Sequence, residues 1–164
     1  MANASTTGGT ALGSRFGHVN IIAREWRALA TFYETVFGCV PVPPERNYRG
    51  EIAERGTAVP GAAFSGVHLR LPGHGPDGPT LEIYTYEEHA PSSPSVANRL
   101  GWGHIAFVVD DVAAASRAVL DAGGSSVGEI VTVQIGDGRR VTWCYMADPE
   151  GNLVELQSRS SPDA

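Results

Sequence analysis

Four residues whose side chains can bind a metal ion occur in this chain in a repeated order. His18 is followed by Glu82, and His104 is followed by Glu155, each within a short apolar stretch. These stretches alternate apolar and polar residues, which is typical of half-buried strands, and an ionisable side chain placed there needs a partner. Imidazole nitrogens and carboxylate oxygens are ligands of divalent transition metals. The pattern therefore predicts a metal site with two nitrogen and two oxygen ligands and room for water or substrate.

The parity of strand positions indicates which other residues face this site. Successive side chains in a strand point to opposite faces, so the apolar alternate positions are expected to pack on a helix, and the polar ones share a face with the ligands. We predict a substrate cleft formed by Asn20, Tyr84, Tyr86 and Gln157, with Trp102 as a wall beside His104.

A single histidine or glutamate in a strand is more often hydrogen-bonded or solvent-facing than bound to a metal. Four of them in repeated order, each at the same place in its unit, favour the metal interpretation. The other three histidines have no such repeat. We interpret His68, His74 and His89 as ordinary strand or loop residues.

The segments around the four residues predict two successive βαβββ units. Helical spacing predicts one helix from Trp26 to Phe37, ended by Gly38, and another from Val112 to Ala122. A short strand is predicted to begin at Val40, and the proline-rich residues 41–60 predict a long connection with one helical turn near 51–55. The predicted organisation is an N-terminal tail over 1–14, a first module over 15–89, a linker over 90–101, a second module over 102–158 and a C-terminal tail over 159–164.

Composition excludes several classes of function. The formal net charge is −6 and no basic stripe is present, so no nucleic-acid partner is expected. All 12 basic residues are arginine, which excludes a lysine Schiff base. No segment has the apolar length of a membrane helix, and no secretory signal begins the sequence. The cysteines, Cys39 and Cys144, predict buried free thiols and a cytoplasmic location.

Two segments resemble signatures of the vicinal oxygen chelate superfamily, which includes glyoxalases, bleomycin-resistance proteins and extradiol dioxygenases. They are Gly103–Val112 and Asp148–Leu156. The resemblance implies an α+β fold in which two tandem βαβββ modules form a cupped mixed sheet around a metal site, with helices on the outer face. It also implies a divalent ion (Ni, Co, Zn, Mn or Fe) at His18, Glu82, His104 and Glu155.

A fourth ligand at Glu82 resembles the glyoxalase I and methylmalonyl-CoA epimerase branch. This implies a metal-dependent isomerase or lyase that acts on a small carbonyl substrate through an enolate or enediolate. We expect Glu155 to move the proton, with Glu82 as a second acid or base. We also expect a homodimer. The alternatives are a dioxygenase or thiol transferase on the same fold, and a non-catalytic protein that binds a drug.

Two positions depart from the pattern of bacterial glyoxalase I. Where those relatives place an arginine and an asparagine for glutathione, this chain has Ile22 and Tyr86. An apolar side chain cannot pair with a glutathione carboxylate. The expected substrate is therefore not a glutathione hemithioacetal.

Overall fold

A computed structural model describes residues 13–136 and 138–161 of the chain. Most of the predicted N-terminal tail, and residues 162–164 of the predicted C-terminal tail, lie outside these residues. The described chain forms nine strands and three helices: β1(His18–Ile22), α1(Trp26–Phe37), β2(Val40–Arg49), α2(Glu51–Thr57), β3(Ala63–Arg70), β4(Thr80–Tyr86), β5(Ile105–Val108), α3(Val112–Asp121), β6(Ser125–Ser126), β7(Val131–Gln134), β8(Arg140–Ala147) and β9(Leu153–Ser160).

The strands form two mixed sheets, one for each predicted module. The first has the order β1-β4-β3-β2, and the second has the order β5-β9-β8-β6, with β7 also paired to β8. In each sheet the first strand lies parallel to the last strand, and the remaining pairs are antiparallel. The predicted α+β fold of two modules is confirmed. Strand β9 continues to Ser160, two residues into the segment assigned to the C-terminal tail.

Strand β2 corrects the interpretation of residues 41–60 as one long connection. Residues 40–49 form a strand at the edge of the first sheet. The helical turn expected near 51–55 is present as α2. Proline is tolerated in edge strands and at irregular positions because it cannot donate a ladder hydrogen bond. The register of β2 against β3 shifts between Val42 and Arg46, where Pro43 and Pro44 lie.

Helices cover one face of each sheet and leave the other face free for a site. Helix α1 buries apolar residues at helical spacing and ends at Gly38, whose φ of 67° is the left-handed conformation that glycine adopts readily. Helix α3 is capped by the Asp111 side chain, which accepts a hydrogen bond of 3.0 Å from the Ala114 amide. The buried sheet residues packed beneath the helices are Val67, Leu69, Leu81, Ile83, Val154 and Leu156.

The two modules meet through aromatic packing and a turn. The rings of Phe37 and Phe107 stack with centroids 3.9 Å apart. Helix α1 has no side-chain cap of its own, and the carboxylate of Glu150 accepts hydrogen bonds from the amides of Arg24 (2.7 Å) and Glu25 (2.9 Å) at its start. The second module thus caps the helix of the first. None of the helices in the described ranges is long and apolar enough to cross a membrane.

Candidate functional site

The first histidine and glutamate meet on the open face of the first sheet. The His18 Nδ1 atom lies 3.4 Å from Glu82 Oε1, and the Glu82 side chain is only 13% exposed. The strands β1 and β4 place them there because Glu82 is the register partner of Asn20, two residues beyond His18 on the same face. Leu81 and Ile83, on either side of Glu82, are fully buried on the opposite face. Glu82 therefore lies on the open face that the alternation of the sequence predicted.

The second pair repeats this geometry. The His104 Nε2 atom lies 2.8 Å from Glu155 Oε2, and the Glu155 side chain is 17% exposed. Glu155 is the register partner of Ala106, which lies two residues beyond His104. The His–Glu order in the sequence is thus matched by the same register in both sheets. One chain carries two half-sites, each with one imidazole nitrogen and one carboxylate oxygen.

In the described part of the chain the two halves do not form one metal-binding cluster. Within residues 13–136 and 138–161, no group of three or more histidine, cysteine, aspartate or glutamate side chains is arranged to hold an ion. His18 and His104 do line one cavity of about 500 Å³ between the modules, together with Asn20, Ile22 and Trp102. Neither glutamate is among the described residues that line this cavity. The four-ligand set remains a prediction.

His68 is a contact that the sequence interpretation missed. It is the register partner of Glu82 on the neighbouring strand β3. Its Nε2 atom lies 3.1 Å from Glu82 Oε1 and 2.8 Å from the Tyr84 hydroxyl. Two imidazoles, those of His18 and His68, therefore lie within 3.4 Å of Glu82 Oε1. In the second sheet the position equivalent to His68 is Tyr145, which is the register partner of Glu155. The ring centroid of Tyr145 lies 5.0 Å from that of His104.

The five residues predicted to form the substrate cleft differ from one another in their contacts and exposure. Asn20 donates a hydrogen bond of 3.4 Å to the backbone carbonyl of Glu82, and Tyr84 is buried against His68. Tyr86 stacks on Phe64 with ring centroids 4.6 Å apart. Trp102 is 91% exposed beside the cavity that contains the two histidines. Gln157 lies one row beyond Glu155, opposite Trp143.

Charges and burial act on the groups around Glu82. Burial lowers the pKa of His68, the negative charge of Glu82 opposes this change, and the positive charges of Arg46 and His18 add to it. Burial is also the main reason that the pKa of Tyr84 is raised, and the charge of Glu82 adds to the effect while Arg46 opposes it. Tyr84 is therefore a protonated hydroxyl in the neutral range, and Arg46 acts electrostatically on the same small region.

Glycine at position 66 allows the Tyr84 ring to lie across strand β3. A Cβ atom at Gly66 would lie 2.0 Å from the Ile83 carbonyl oxygen and 2.6 Å from Tyr84 Cδ1. Such contacts are far inside van der Waals distance, so a side chain would displace the ring or the neighbouring strand. The ring of Tyr84 thus fills the space that a side chain of β3 would otherwise take.

Comparison with known proteins agrees with this architecture. A profile of the Glyoxalase/Bleomycin resistance protein/Dioxygenase superfamily matches residues 15–156, and the chain belongs to this superfamily. Its two modules and three helices are the fold expected from the resemblance. No curated protein sequence matches the chain significantly.

Solved structures share the fold at low sequence identity. A glyoxalase family protein from Bacillus cereus is similar with a TM-score of 0.75 and 21% identity, over 96% of this chain and 100% of that one. A glyoxalase family protein from Enterococcus faecalis has a TM-score of 0.59 and 22% identity, over 90% and 99%. A glyoxalase I mutant from Zea mays has a TM-score of 0.59 and 17% identity, over 87% of this chain and 46% of that one.

Proposed function

We propose that this chain is a divalent-metal-dependent isomerase or lyase that acts on a small carbonyl substrate through an enolate or enediolate. The single observation that carries the proposal is the repeated half-site. In both sheets a histidine and a poorly exposed glutamate meet at equivalent register positions, with nitrogen–oxygen distances of 3.4 Å and 2.8 Å.

The donor chemistry of each half fits a divalent transition metal. Ni, Co, Zn, Mn and Fe all accept imidazole nitrogen and carboxylate oxygen. Carboxylates as poorly exposed as Glu82 and Glu155 require a cationic or hydrogen-bonding partner. Within the part of the chain that the structure describes, histidines are the only basic side chains that pair with them. His18, Glu82, His104 and Glu155 would hold the ion, once both halves face each other.

A homodimer would bring complementary halves together. We propose that the His18–Glu82 half of one copy faces the His104–Glu155 half of a second copy. Support comes from the absence of a group of three or more ligand side chains within the described residues and from exposed apolar side chains close to the two halves, which are typical of an interface. These side chains are Phe16, Ile22, Leu100, Trp102 and Val108, with exposures from 49% to 99%.

A bound divalent ion would supply Lewis-acid polarisation of the substrate carbonyl and so favour loss of a proton from the adjacent carbon. Glu155 would take that proton and return it to the same or a neighbouring carbon, since a carboxylate at this position can act as base and then as acid. Glu82 would serve as the second carboxylate. The Tyr84 hydroxyl, held by His68, could donate a hydrogen bond to a substrate oxygen.

Solvent deuterium exchange tests this proposal. Protein reconstituted separately with each divalent metal is incubated in deuterium oxide with methylmalonyl-CoA, with thiol hemithioacetals including that of glutathione, and with an aromatic α-keto acid. We expect metal-dependent deuterium incorporation beside a carbonyl in at least one substrate class. Metal binding with no exchange in any class would contradict the proposed chemistry.

A non-catalytic binding protein is the second candidate, favoured by the aromatic side chains on the open face of the first sheet. Tyr48, Phe64 and Tyr86 lie within ring-contact distance in series. Tight binding of an aromatic drug without metal and without turnover would support this candidate. We also propose a cytoplasmic location, since Cys39 and Cys144 are free and buried.

A further inference from the structure

The open face of the first sheet is ordered in rows across the strands. The row of Glu82 contains Val42, His68 and Asn20. The next row contains Arg46, Gly66, Tyr84 and Ile22, and the row after it contains Tyr48, Phe64 and Tyr86. Alternate residues of a strand are about 7 Å apart, so the aromatic row lies roughly 13 Å from Glu82. The face thus has a polar end, a row with one cation, and an aromatic end.

The aromatic end is a continuous set of rings that remains accessible. The Tyr48 and Phe64 centroids are 5.1 Å apart, and Phe64 and Tyr86 are 4.6 Å apart and stacked. Phe64 also contacts the edge of Tyr84 at 5.2 Å. Tyr48 is 41% exposed, and Phe64 and Tyr86 are half-buried. A flat unsaturated group gains more from such rings than its apolar area alone would give.

Arg46 provides a positive charge on the same face. Because Gly66 has no side chain, nothing on β3 separates Arg46 from Tyr84 in their row. The guanidinium of the half-buried Arg46 donates to the Pro44 carbonyl, which engages only one of its two terminal nitrogens. No carboxylate pairs with Arg46 among residues 13–136 and 138–161, whereas Arg49 on the opposite face pairs with Glu87 at 3.1 Å. A guanidinium with free donors is suited to a carboxylate.

We infer that the ligand of this face combines a planar unsaturated group, placed over Tyr48, Phe64 and Tyr86, with a carboxylate bound by Arg46. This inference rests on the proposed function for the presence of a reactive carbonyl, which in such a ligand lies between the ring and the carboxylate. The substrate class is an aromatic or conjugated keto acid. The ring and the carboxylate would occupy adjacent rows, which are about 7 Å apart.

Binding to the metal-free protein tests the inference independently of turnover. The probes are phenylpyruvate, its methyl ester and 3-cyclohexyl-2-oxopropanoate, titrated by calorimetry. We expect the wild-type protein to bind phenylpyruvate about ten-fold or more tightly than the ester, since a charged hydrogen bond is lost. We expect a preference of about three-fold or more over the cyclohexyl acid, since the ring contact is lost. Absence of either preference would overturn the inference.

Variants assign the two preferences to their residues. Arg46→Ala should abolish the preference for acid over ester. Arg49→Ala, which alters the opposite face of the same strand, should retain it. Phe64→Leu should reduce the preference for the phenyl acid and keep that for the acid over its ester. Retention of the acid preference in Arg46→Ala would assign the anion to another cation and refute the site. The wild-type comparison of acid and ester needs no variant and stands if Arg46→Ala fails to fold.

Deuterium exchange on the same probes separates this inference from the proposed function. Both probe preferences without exchange in the metal-loaded protein would support the ligand chemistry and count against the isomerase. Exchange in an acyl-CoA or thiol hemithioacetal, with neither probe preference, would support the isomerase and refute the ligand chemistry.

Discussion

The hydroxyl of Tyr33 donates a hydrogen bond of 3.0 Å to Asp148 Oδ2 and so links the helix of the first module to the second module. Both residues are buried, at 0% and 2% exposure. The carboxyl of Asp148 also accepts from the amides of Glu150 and Asn152, each at 2.9 Å. One buried carboxyl thereby shapes its own turn and fixes the position of α1.

Replacing Tyr33 with phenylalanine should destabilise the protein by about 1–3 kcal/mol, because Asp148 loses one partner in a buried setting. Urea unfolding measures the change. Tyr86→Phe is the matched control, since its hydroxyl makes no hydrogen bond among the described residues. An equal loss of unfolding free energy in both variants would show that the contact with Asp148 makes no specific contribution to stability.

The same contact predicts an alkaline dependence of stability. Burial, and then the charge of Asp148, raise the pKa of Tyr33 in the folded state well above its ordinary value. A raised folded-state pKa means that this contribution is fully present below about pH 10, the ordinary tyrosine value, and is lost as the pH rises further. The free energy of unfolding should fall above about pH 10, with a shallower slope in Tyr33→Phe. Identical slopes would contradict the assignment.

Metal binding should depend on both halves of the proposed site. His104→Ala and Glu82→Gln each remove a ligand from a different half, so both should lose most of the bound metal, because the remaining donors hold the ion less tightly. Elemental analysis after reconstitution measures this. His89→Ala and Glu88→Gln are controls in an exposed loop and should retain it. A full metal equivalent at unchanged affinity in both ligand variants would mean that the site is elsewhere.

Glu155→Gln separates metal binding from proton transfer. The amide keeps an oxygen donor and loses basicity, so some metal should remain while deuterium exchange falls by roughly two to four orders of magnitude. The rate of exchange at the substrate carbon is the measurement. Unimpaired exchange in this variant would move the role of base to Glu82.

His68 should act on the metal through Glu82, because an outer partner orients a ligating carboxylate. His68→Phe should weaken metal affinity by about 10–100-fold, and His68→Gln, which keeps a donor, should restore part of it. Competition with a chelator of known affinity gives the values. His74→Ala serves as the control. Unchanged affinity in His68→Phe would confine His68 to packing against Tyr84.

The close packing at Gly66 gives a prediction about folding. Gly66→Ala forces a Cβ against the Ile83 carbonyl and the Tyr84 ring, and overpacking of this kind costs about 1–3 kcal/mol. Gly128→Ala, where a Cβ would meet nothing within 4 Å, is the matched control. Urea midpoints of the two variants decide the point, and equal midpoints would indicate that β3 adjusts freely.

Local patterns in the sequence predicted α1, α3 and the strand faces well. The spacing of Trp26, Leu29 and Tyr33 gave the buried side of α1, and the alternation around Glu82 gave its open face. The short strand predicted at Val40 extends to Arg49, farther than its prolines indicate, because an edge strand with an irregular register accommodates them. That irregularity depends on pairing with β3, which no local pattern encodes.

The role of His68 depended on strand register, which is a non-local property. His68 and Glu82 are equidistant in sequence from Gly75, near the middle of the connection between β3 and β4, so a symmetric hairpin would have paired them. Tyr145 and Glu155 are likewise equidistant from Glu150. This equal spacing is the signal that could have identified both ring neighbours. The proposed assembly of the halves would depend on a second copy, which no pattern within one chain encodes.

The capping of α1 by Glu150 makes the two halves of the chain unequal in independence. Helix α3 carries its own cap at Asp111, whereas the amides of Arg24 and Glu25, just before α1, donate to Glu150 of the second module. A chain divided between residues 90 and 101 would therefore leave these two amides of the first half without their partner, while the second half would keep its helix start intact. The modules repeat each other in geometry, but the start of the first helix is completed by the second module, whereas the start of the second helix needs nothing from the first.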